Sequence, residues 1–289
     1  MKIVIIGSNG FIGTALKTHL RANNHIVISL SRRLMALPVF QLANMLEGVN
    51  VFINLAGAPI IGKWSKEYKR TIFNSRIYTT RKIVEVINQL ESPPGLFFSS
   101  SAVGIYKDTG AHDEFSADLA DDFLGSLCRD WETEALRAVK ATRVIIMRTG
   151  LVLGSEGGML QKMLPVFKWG LGGKIASGTQ AMSWIHINDV VAAYDFMIFH
   201  EEVKGIINLT APQPTDNERF TKLLAKILKR PGLFPVPAFV LNLMYGEGSV
   251  VLTKGQLAIP RKLLEAGFRF QFSDLEPALQ DLLIKKSSY

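Results

Sequence analysis

Apolar and polar positions along this chain switch between two periods, and the switch is sharpest at the start. Ile3 to Ile6 are four consecutive β-branched residues, the pattern of a strand buried on both faces. From Phe11 the spacing turns helical, with Ile12, Ala15, Leu16 and Leu20 on one face. The pair of signatures then recurs. Apolar runs at 25–30, 50–54, 96–101, 143–148 and 204–209 predict further strands, and 182–186 is strand-like. Helical spacing predicts helices over 40–46, 64–90, 122–140, 159–167, 188–199 and 216–228, with Pro93, Pro94 and Gly95 ending the longest. Strands alternating with helices predict an α/β fold, a doubly wound parallel sheet with right-handed crossovers.

Beyond Gly150 the rhythm loosens. A segment of about 154–180 is rich in glycine around an apolar helix and is expected to form a substrate lid. From Pro231 the elements shorten, joined at Pro235, Pro237, Pro260 and Pro277. The expected organisation is one nucleotide-binding domain over 1–230 and a small, mostly helical C-terminal domain over 231–289 that closes a cleft.

Three glycines, Gly7, Gly10 and Gly13, separate the first strand from the first helix. Gly7 permits a sharp turn, Gly10 lets backbone approach a pyrophosphate, and Gly13 lets the helix pack against the strand. The free N–H groups and positive dipole end of that helix then face an anion. Strand, glycine turn and helix in this order predict a dinucleotide site. Leu55, Ala56 and Gly57 end the third strand with small residues, and Ser99 to Ser101 put hydroxyls at the end of the fourth, where open α/β sheets bind ligands.

Charge then decides which dinucleotide. Sites selective for NAD place a carboxylate at the end of the second strand, on the ribose hydroxyls. Here that strand runs into Ser31, Arg32 and Arg33, and no Asp or Glu precedes Glu47. A guanidinium binds a 2′-phosphate through charge-assisted bonds of roughly 1.5–3 kcal/mol each, so the pattern favours NADP(H) over NAD. The competing explanation is two solvated loop arginines.

Composition narrows the rest. With 48% apolar and 20% charged residues, the 289-residue chain has the balance of a soluble globular protein. Cys128 is its one cysteine, which rules out an intrachain disulfide and leads us to expect the cytoplasm. No apolar stretch approaches about 18 residues, so neither a span nor a membrane partner is expected. The +8 net charge is scattered, without a basic run interleaved with aromatics, and nucleic acid is not expected. His25, His112 and Asp113 have no metal-ligand spacing. The partner expected is a small-molecule substrate of unknown identity, and the chain a monomer or homodimer.

The Gly7-x-x-Gly10-x-x-Gly13 spacing resembles that of the extended short-chain dehydrogenases/reductases, which have a Rossmann fold. Further blocks are similar to the "epimerase family protein" branch, related to nucleotide-sugar epimerases. They include Asn54 to Gly57, Ser75-Arg76, Ser101 to Gly104, Asp130 to Glu132, Arg148 to Gly150, Gly178-x-Gln180, Trp184 to His186, and Pro260 with Gly267-Phe268 in a small C-terminal domain. The resemblance implies NAD(P) binding. It places Gly7, Ser8, Asn9, Gly10, Phe11 and Ile12 at the pyrophosphate, Ser31 and Arg32 at the adenosine phosphate, and Leu55 and Ala56 along the ribose. Arg76 and Val152 resemble further cofactor contacts; alternatively Arg76 is solvated and Val152 is core.

The same superfamily uses a tyrosine phenol as acid/base, a lysine four residues later that stabilises the phenolate, and a serine that orients the substrate. Ser101 is the serine equivalent. The stretch 123–132, where the other two belong, contains neither Tyr nor Lys. Tyr78 and Lys82 have the spacing but precede the serine, on another helix. Tyr106 is expected to line the pocket or to substitute as the acid, and Gln180, Trp184 and His186 to face the substrate. Two functions follow: an NADP(H)-dependent oxidoreductase or epimerase-like isomerase with altered acid/base chemistry, or a non-catalytic NADPH-binding redox sensor or interaction protein.

Overall fold

Ile3 to Ile6 become the second strand from one edge of a sheet because both faces of that run meet a helical layer. In the computed structural model, which describes residues 1–138 and 142–284, the chain begins β1 (Lys2–Ile6), α1 (Phe11–Ala22), β2 (Ile26–Leu30), α2 (Arg32–Met35), α3 (Val39–Leu46) and β3 (Val51–Asn54). It continues α4 (Lys66–Gln89), β4 (Leu96–Ala102), β5 (Ala111–His112), α5 (Phe123–Leu136), β6 (Arg143–Thr149), β7 (Leu151–Leu153) and α6 (Gly158–Lys168). Then come β8 (Ala181–Met182), β9 (Trp184–His186), α7 (Ile187–Phe199), β10 (Gly205–Leu209), β11 (Thr215–Asp216) and α8 (Asn217–Leu228). The close is α9 (Ala238–Tyr245), α10 (Val250–Thr253), β12 (Leu257–Ala258), α11 (Arg261–Glu265) and α12 (Leu275–Leu283).

The predicted doubly wound sheet is present. Six parallel strands run in the order β10-β6-β4-β3-β1-β2. The chain winds outward from β1 to β2, then returns past β1 to β3, which opens a crevice between β1 and β3 at their carboxyl ends. Register aligns those ends: Ile6 sits beside Leu30 and Asn54, Asn54 beside Ser99, and Ser101 beside Arg148.

Alternation along each strand feeds two separate cores. Ile3, Ile5, Val51, Ile53, Phe98 and Met147 pack with α1 and α7 through Leu16, Leu20, Val190 and Tyr194. Val4, Ile6, Phe52, Phe97 and Ile146 pack on the other face with α3 and α4 through Leu42, Leu46, Ile83 and Ile87. The helix predicted over 122–140 ends at Leu136, and its last expected residues, 139–140, lie outside the described residues. The strand-like run 182–186 appears as β8 and β9, whereas β5 and β12, of two residues each, and β7 are too short for periodicity to reveal.

Beyond Pro231 the chain packs onto the sheet domain rather than apart from it. Phe272, Leu275, Leu279 and Leu282 share one core with Phe167, Trp184, Phe220 and Leu224. A second tie is polar: the buried Asp189 carboxylate, in the first turn of α7, accepts from the backbone amides of Gln271 (2.7 Å) and Phe272 (3.0 Å). Removing it leaves both amides without that acceptor. Asp189→Ala should therefore lower the unfolding free energy by about 2–5 kcal/mol in urea titrations, whereas truncating exposed Asp274, which makes no side-chain cap bond, should change it little.

Candidate cofactor cleft and active site

The glycine turn is built as tightly as its spacing implies. Gly7 has φ +85°, and a Cβ there would lie 2.9 Å from the Leu55 carbonyl; on Gly13 it would lie 2.3 Å from the Gly7 oxygen. Gly10 is different. Its nearest neighbour would be 3.3 Å away and it is exposed, so its lack of a side chain leaves space outward, toward the crevice. As N-cap of α1 it supplies no side-chain cap, and α1 has no acidic residue in its first turn. An uncapped helix end with this bare approach fits a diphosphate. Phe11 turns its ring the other way, into a hollow where Cβ atoms at Gly154 and Gly157 would meet it at 2.3 and 2.4 Å. The front of the expected lid is thereby seated on α1.

Beside the turn, the backbone of 54–58 is held from below. Asn54, wholly buried, donates to Thr80 Oγ1 (2.8 Å) and accepts from the Ala56 amide (3.1 Å), and Ser75 Oγ accepts from the Ala58 amide (2.9 Å). Arg76 lies under this loop. Its guanidinium donates to the Ala58 carbonyl (3.0 Å), sits 5.3 Å from the Trp131 ring centroid, and would touch a Cβ on Gly57. Burial lowers its affinity for the proton, and no carboxylate among the described residues forms an ion pair with it. At the far end of the crevice Ser31 caps α2 by accepting from the Leu34 amide, and Arg32 and Arg33 stand exposed without an ion pair among the described residues. Val152 is buried in β7 as core, and Ser99 is wholly buried.

Further along the carboxyl ends, Ser100 Oγ donates to the Asn54 carbonyl (2.8 Å), while the buried Ser99 Oγ has no hydrogen-bond partner among the described residues. Ser101 Oγ donates to Glu132 Oε1 (2.7 Å). The same carboxylate takes two bonds from Arg148, both 2.8 Å, with both side chains almost fully buried. Arg148 also donates to the Tyr106 hydroxyl (2.9 Å), which donates in turn to Asn208 Oδ1 or the Asp113 carbonyl, each at 2.9 Å. Tyr106 is fully buried, and burial pushes its phenol above its ordinary range against the pull of Arg148. The expectation that Tyr106 lines a pocket is corrected: it is part of an internal network, stacked on His112.

The expectation for Trp184 changes as well. Trp184 is fully buried, its indole N–H donating to the Gln213 carbonyl (2.9 Å), because β9 lies inside the core under α8 and α12. His186 is largely buried at the start of α7, where Nδ1 accepts from the Asn188 amide and the ring packs 4.0 Å from Phe272, yet it lines a cavity of about 1060 Å³ with Asn9, Gly10, Phe11 and Asn188. Gln180 reaches a second cavity. It lines about 130 Å³ together with Val103, Met182, Ser183, Leu252 and Gln256, and its amide donates to the carbonyls of Ile175 (3.0 Å) and Leu252 (3.2 Å). Among the described residues no cluster of His, Cys, Asp or Glu could hold a metal ion.

Comparison with known proteins agrees with this geometry. The sequence pattern of the NAD dependent epimerase/dehydratase family matches residues 3–210, and that of a domain of unknown function, DUF1731, matches 236–282. The chain belongs to the NAD dependent epimerase/dehydratase family. It is 37% identical to the chloroplastic epimerase family protein SDR39U1 homolog of Arabidopsis thaliana, over 98% of this chain and 87% of that protein. It is 34% identical to the epimerase family protein YfhF of Bacillus subtilis over the whole of both. The crystal structure of human epimerase family protein SDR39U1 with NADPH superposes with TM-score 0.91 at 32% identity, covering 98% of this chain and 99% of that one.

Two residues of α5 lie near the end of β4. Leu124 and Cys128 lie four apart on α5. A Cβ on Gly104 would touch Leu124, and Cys128 lies against Ser101 and Ala102. Cys128 thus stands beside the serine and Leu124 beside Gly104, and neither is a phenol or an ammonium. Burial pushes the Cys128 thiol up to about 11. Sequence reasoning missed Leu124, since nothing marks out a leucine on a half-apolar helix.

If Ser101 serves Glu132 rather than a ligand, its removal should be mild. Ser101→Ala should cost about 1 kcal/mol in chemical denaturation, whereas Glu132→Ala, which strands the Arg148 guanidinium, should cost about 3–5 kcal/mol.

Proposed function

We propose that this chain binds NADP(H) in the crevice between β1 and β3 and works as a redox-responsive binding protein, not as an oxidoreductase or epimerase of the phenol–ammonium type. Three observations support the cofactor. The Gly7–Gly13 turn leaves an uncapped helix end facing open space; Arg32 and Arg33 follow β2 with no carboxylate paired to them among the described residues; and the human relative was crystallised with NADPH. Arg76, held beneath 57–58, adds a cation beside the crevice. A bound nicotinamide would supply hydride chemistry. The protein's part would be a proton, and that is where this chain differs.

The single observation that carries the proposal is the engagement of Ser101 by Glu132, with the Cys128 thiol beside it. General acid/base help worth roughly 10²–10⁴-fold requires a group that exchanges a proton near neutral pH. A thiol near 11 is ionised at about one part in ten thousand at pH 7. Tyr106, buried and raised, is no better placed. The rival, a reductase acting on an unknown substrate, draws on the cavity at Gln180, whose carbonyl oxygen has no hydrogen-bond partner among the described residues. At about 130 Å³ that cavity alone is small for a nucleotide-sugar, but a larger one of about 1060 Å³ opens beside the glycine turn, lined by Asn9, Gly10, Phe11, His186 and Asn188. Work in a reducing cytoplasm suits Cys128 as a free thiol.

Calorimetry and absorbance together test this. NADPH should bind more tightly than NADH, and Arg32→Glu should weaken NADPH by about tenfold or more while barely changing NADH. Equal losses would remove the case for NADP(H). No carbonyl or nucleotide-sugar should drive oxidation of bound NADPH above background; turnover that disappears in Ser101→Ala would establish the reductase instead.

A further inference from the structure

The helix α9 is apolar but for Asn242 and yet largely uncovered. Of its eight residues only Leu241 is buried, while Phe239, Leu243 and Met244 are 71%, 81% and 56% exposed. A helix apolar all round is ordinarily enclosed by protein or lipid. Its neighbours extend the same surface. Leu233 and Phe234 precede it at 77% and 54% exposure, and Trp169 and Leu171, just past α6, stand at 82% and 58%. These segments are one surface: the Phe234 amide donates to the Gly172 carbonyl (3.2 Å) and the Val236 amide to the Lys174 carbonyl (2.9 Å). Single exposed apolar residues are ordinary in soluble proteins, but a continuous set of aromatic and aliphatic side chains marks an interaction surface.

Charge identifies what it meets. Between Glu156 and Asp189 the chain has Lys162, Lys168 and Lys174 and no acidic residue; between Glu218 and Glu247 it has Arg219, Lys222, Lys226, Lys229 and Arg230, again with none. Lys174 and Lys222 pair with Glu218, and Lys226 with Glu276. Lys162, Lys168, Lys229 and Arg230 are exposed and have no ion pair among the described residues. The apolar centre is thus flanked by Lys168, Lys229 and Arg230 without ion pairs, while Glu247, two residues past α9, is paired with Lys69. A second copy docking through a twofold axis would set like charges against each other. Side chains this exposed protrude instead of lining a groove, which suits a fluid surface better than a folded partner.

We propose that this chain docks onto an anionic lipid bilayer, with Trp169, Leu171, Leu233, Phe234, Phe239 and Leu243 entering the headgroup–acyl boundary and Lys168 and Arg230 among the cations on the phosphates. Trp at the interface and basic residues above it are how surface-bound proteins hold a membrane. Docking requires no spanning segment, and no helix among the described residues is long and apolar enough to cross a membrane. The sequence pattern concealed this surface because its apolar residues come from two separate segments, neither of them a long run. The proposal does not depend on NADP(H) binding.

Flotation of the purified chain with vesicles tests it, using phosphatidylcholine alone and phosphatidylcholine mixed with phosphatidylglycerol. The chain should float with the mixture only, and binding should fade as salt is raised. Lys168→Ala with Arg230→Ala should weaken binding about thirtyfold, roughly fivefold per charge. Phe239→Ser with Leu243→Ser should abolish it while circular dichroism and the melting transition stay unchanged, since neither side chain is buried. Absence of flotation with either vesicle, equal flotation with both, or full binding by the Phe239/Leu243 variant would overturn the proposal. So would a dimer by light scattering that the same variant splits, because a second copy would then own the surface.

Discussion

The paired bonds between Glu132 and Arg148 hold the carboxyl end of the sheet in its present form. Glu132 comes from α5 and Arg148 from β6, both nearly sealed from water. Desolvating two charges costs several kcal/mol per ion unless their remaining hydrogen-bonding positions are filled. Here they are filled: Ser101 of β4 takes one carboxylate position, and Tyr106 meets the guanidinium. The connection continues through Asn208 of β10, which donates to the Ile259 carbonyl, and through Glu114, whose carboxylate accepts from the amides of Asn208 and Lys262. Three strands, one helix and the C-terminal segment are thus tied into one polar network. The Ser101 hydroxyl at the end of β4 is part of this network.

Some parts of the molecule were legible in sequence and others were not, according to whether local sterics or a distant partner fixes each residue. The sheet was legible because β-branched runs such as Ile3 to Ile6 have no stable place except between two layers. The phosphate turn was legible because Gly7 and Gly13 answer steric demands that no other residue meets, at 2.9 and 2.3 Å from neighbouring backbone. The roles of Tyr106 and Trp184 were not legible. A tyrosine beside a serine in sequence looks the same whether its phenol faces a ligand or an arginine, and only the three-dimensional partner, Arg148, decides. Trp184 was misplaced because a three-residue strand, β9, carries it inward beneath α8 and α12.

Electrostatics separates the molecule into regions with different tasks. Cations in the interior have fixed partners, as Arg148 does, or backbone acceptors, as Arg143 does on the carbonyls of Met197, His200 and Val203. Cations at the end of β2 and around α9 stand in water with no such commitment among the described residues. The net charge of +8 is therefore not a uniform coat. Much of it is available on surfaces that face away from the core, where it steers association rather than stabilising the fold.

The seat of Phe11 among Gly154, Gly157 and Gly158 carries a consequence for how this chain can vary. A ring occupies the volume that three side chains would need, so positions 11, 154 and 157 cannot drift independently: a methyl gained at either glycine must be matched by a smaller residue at 11. Related sequences should therefore trade bulk between the two places, and a lineage that loses the ring gains freedom to refill the loop.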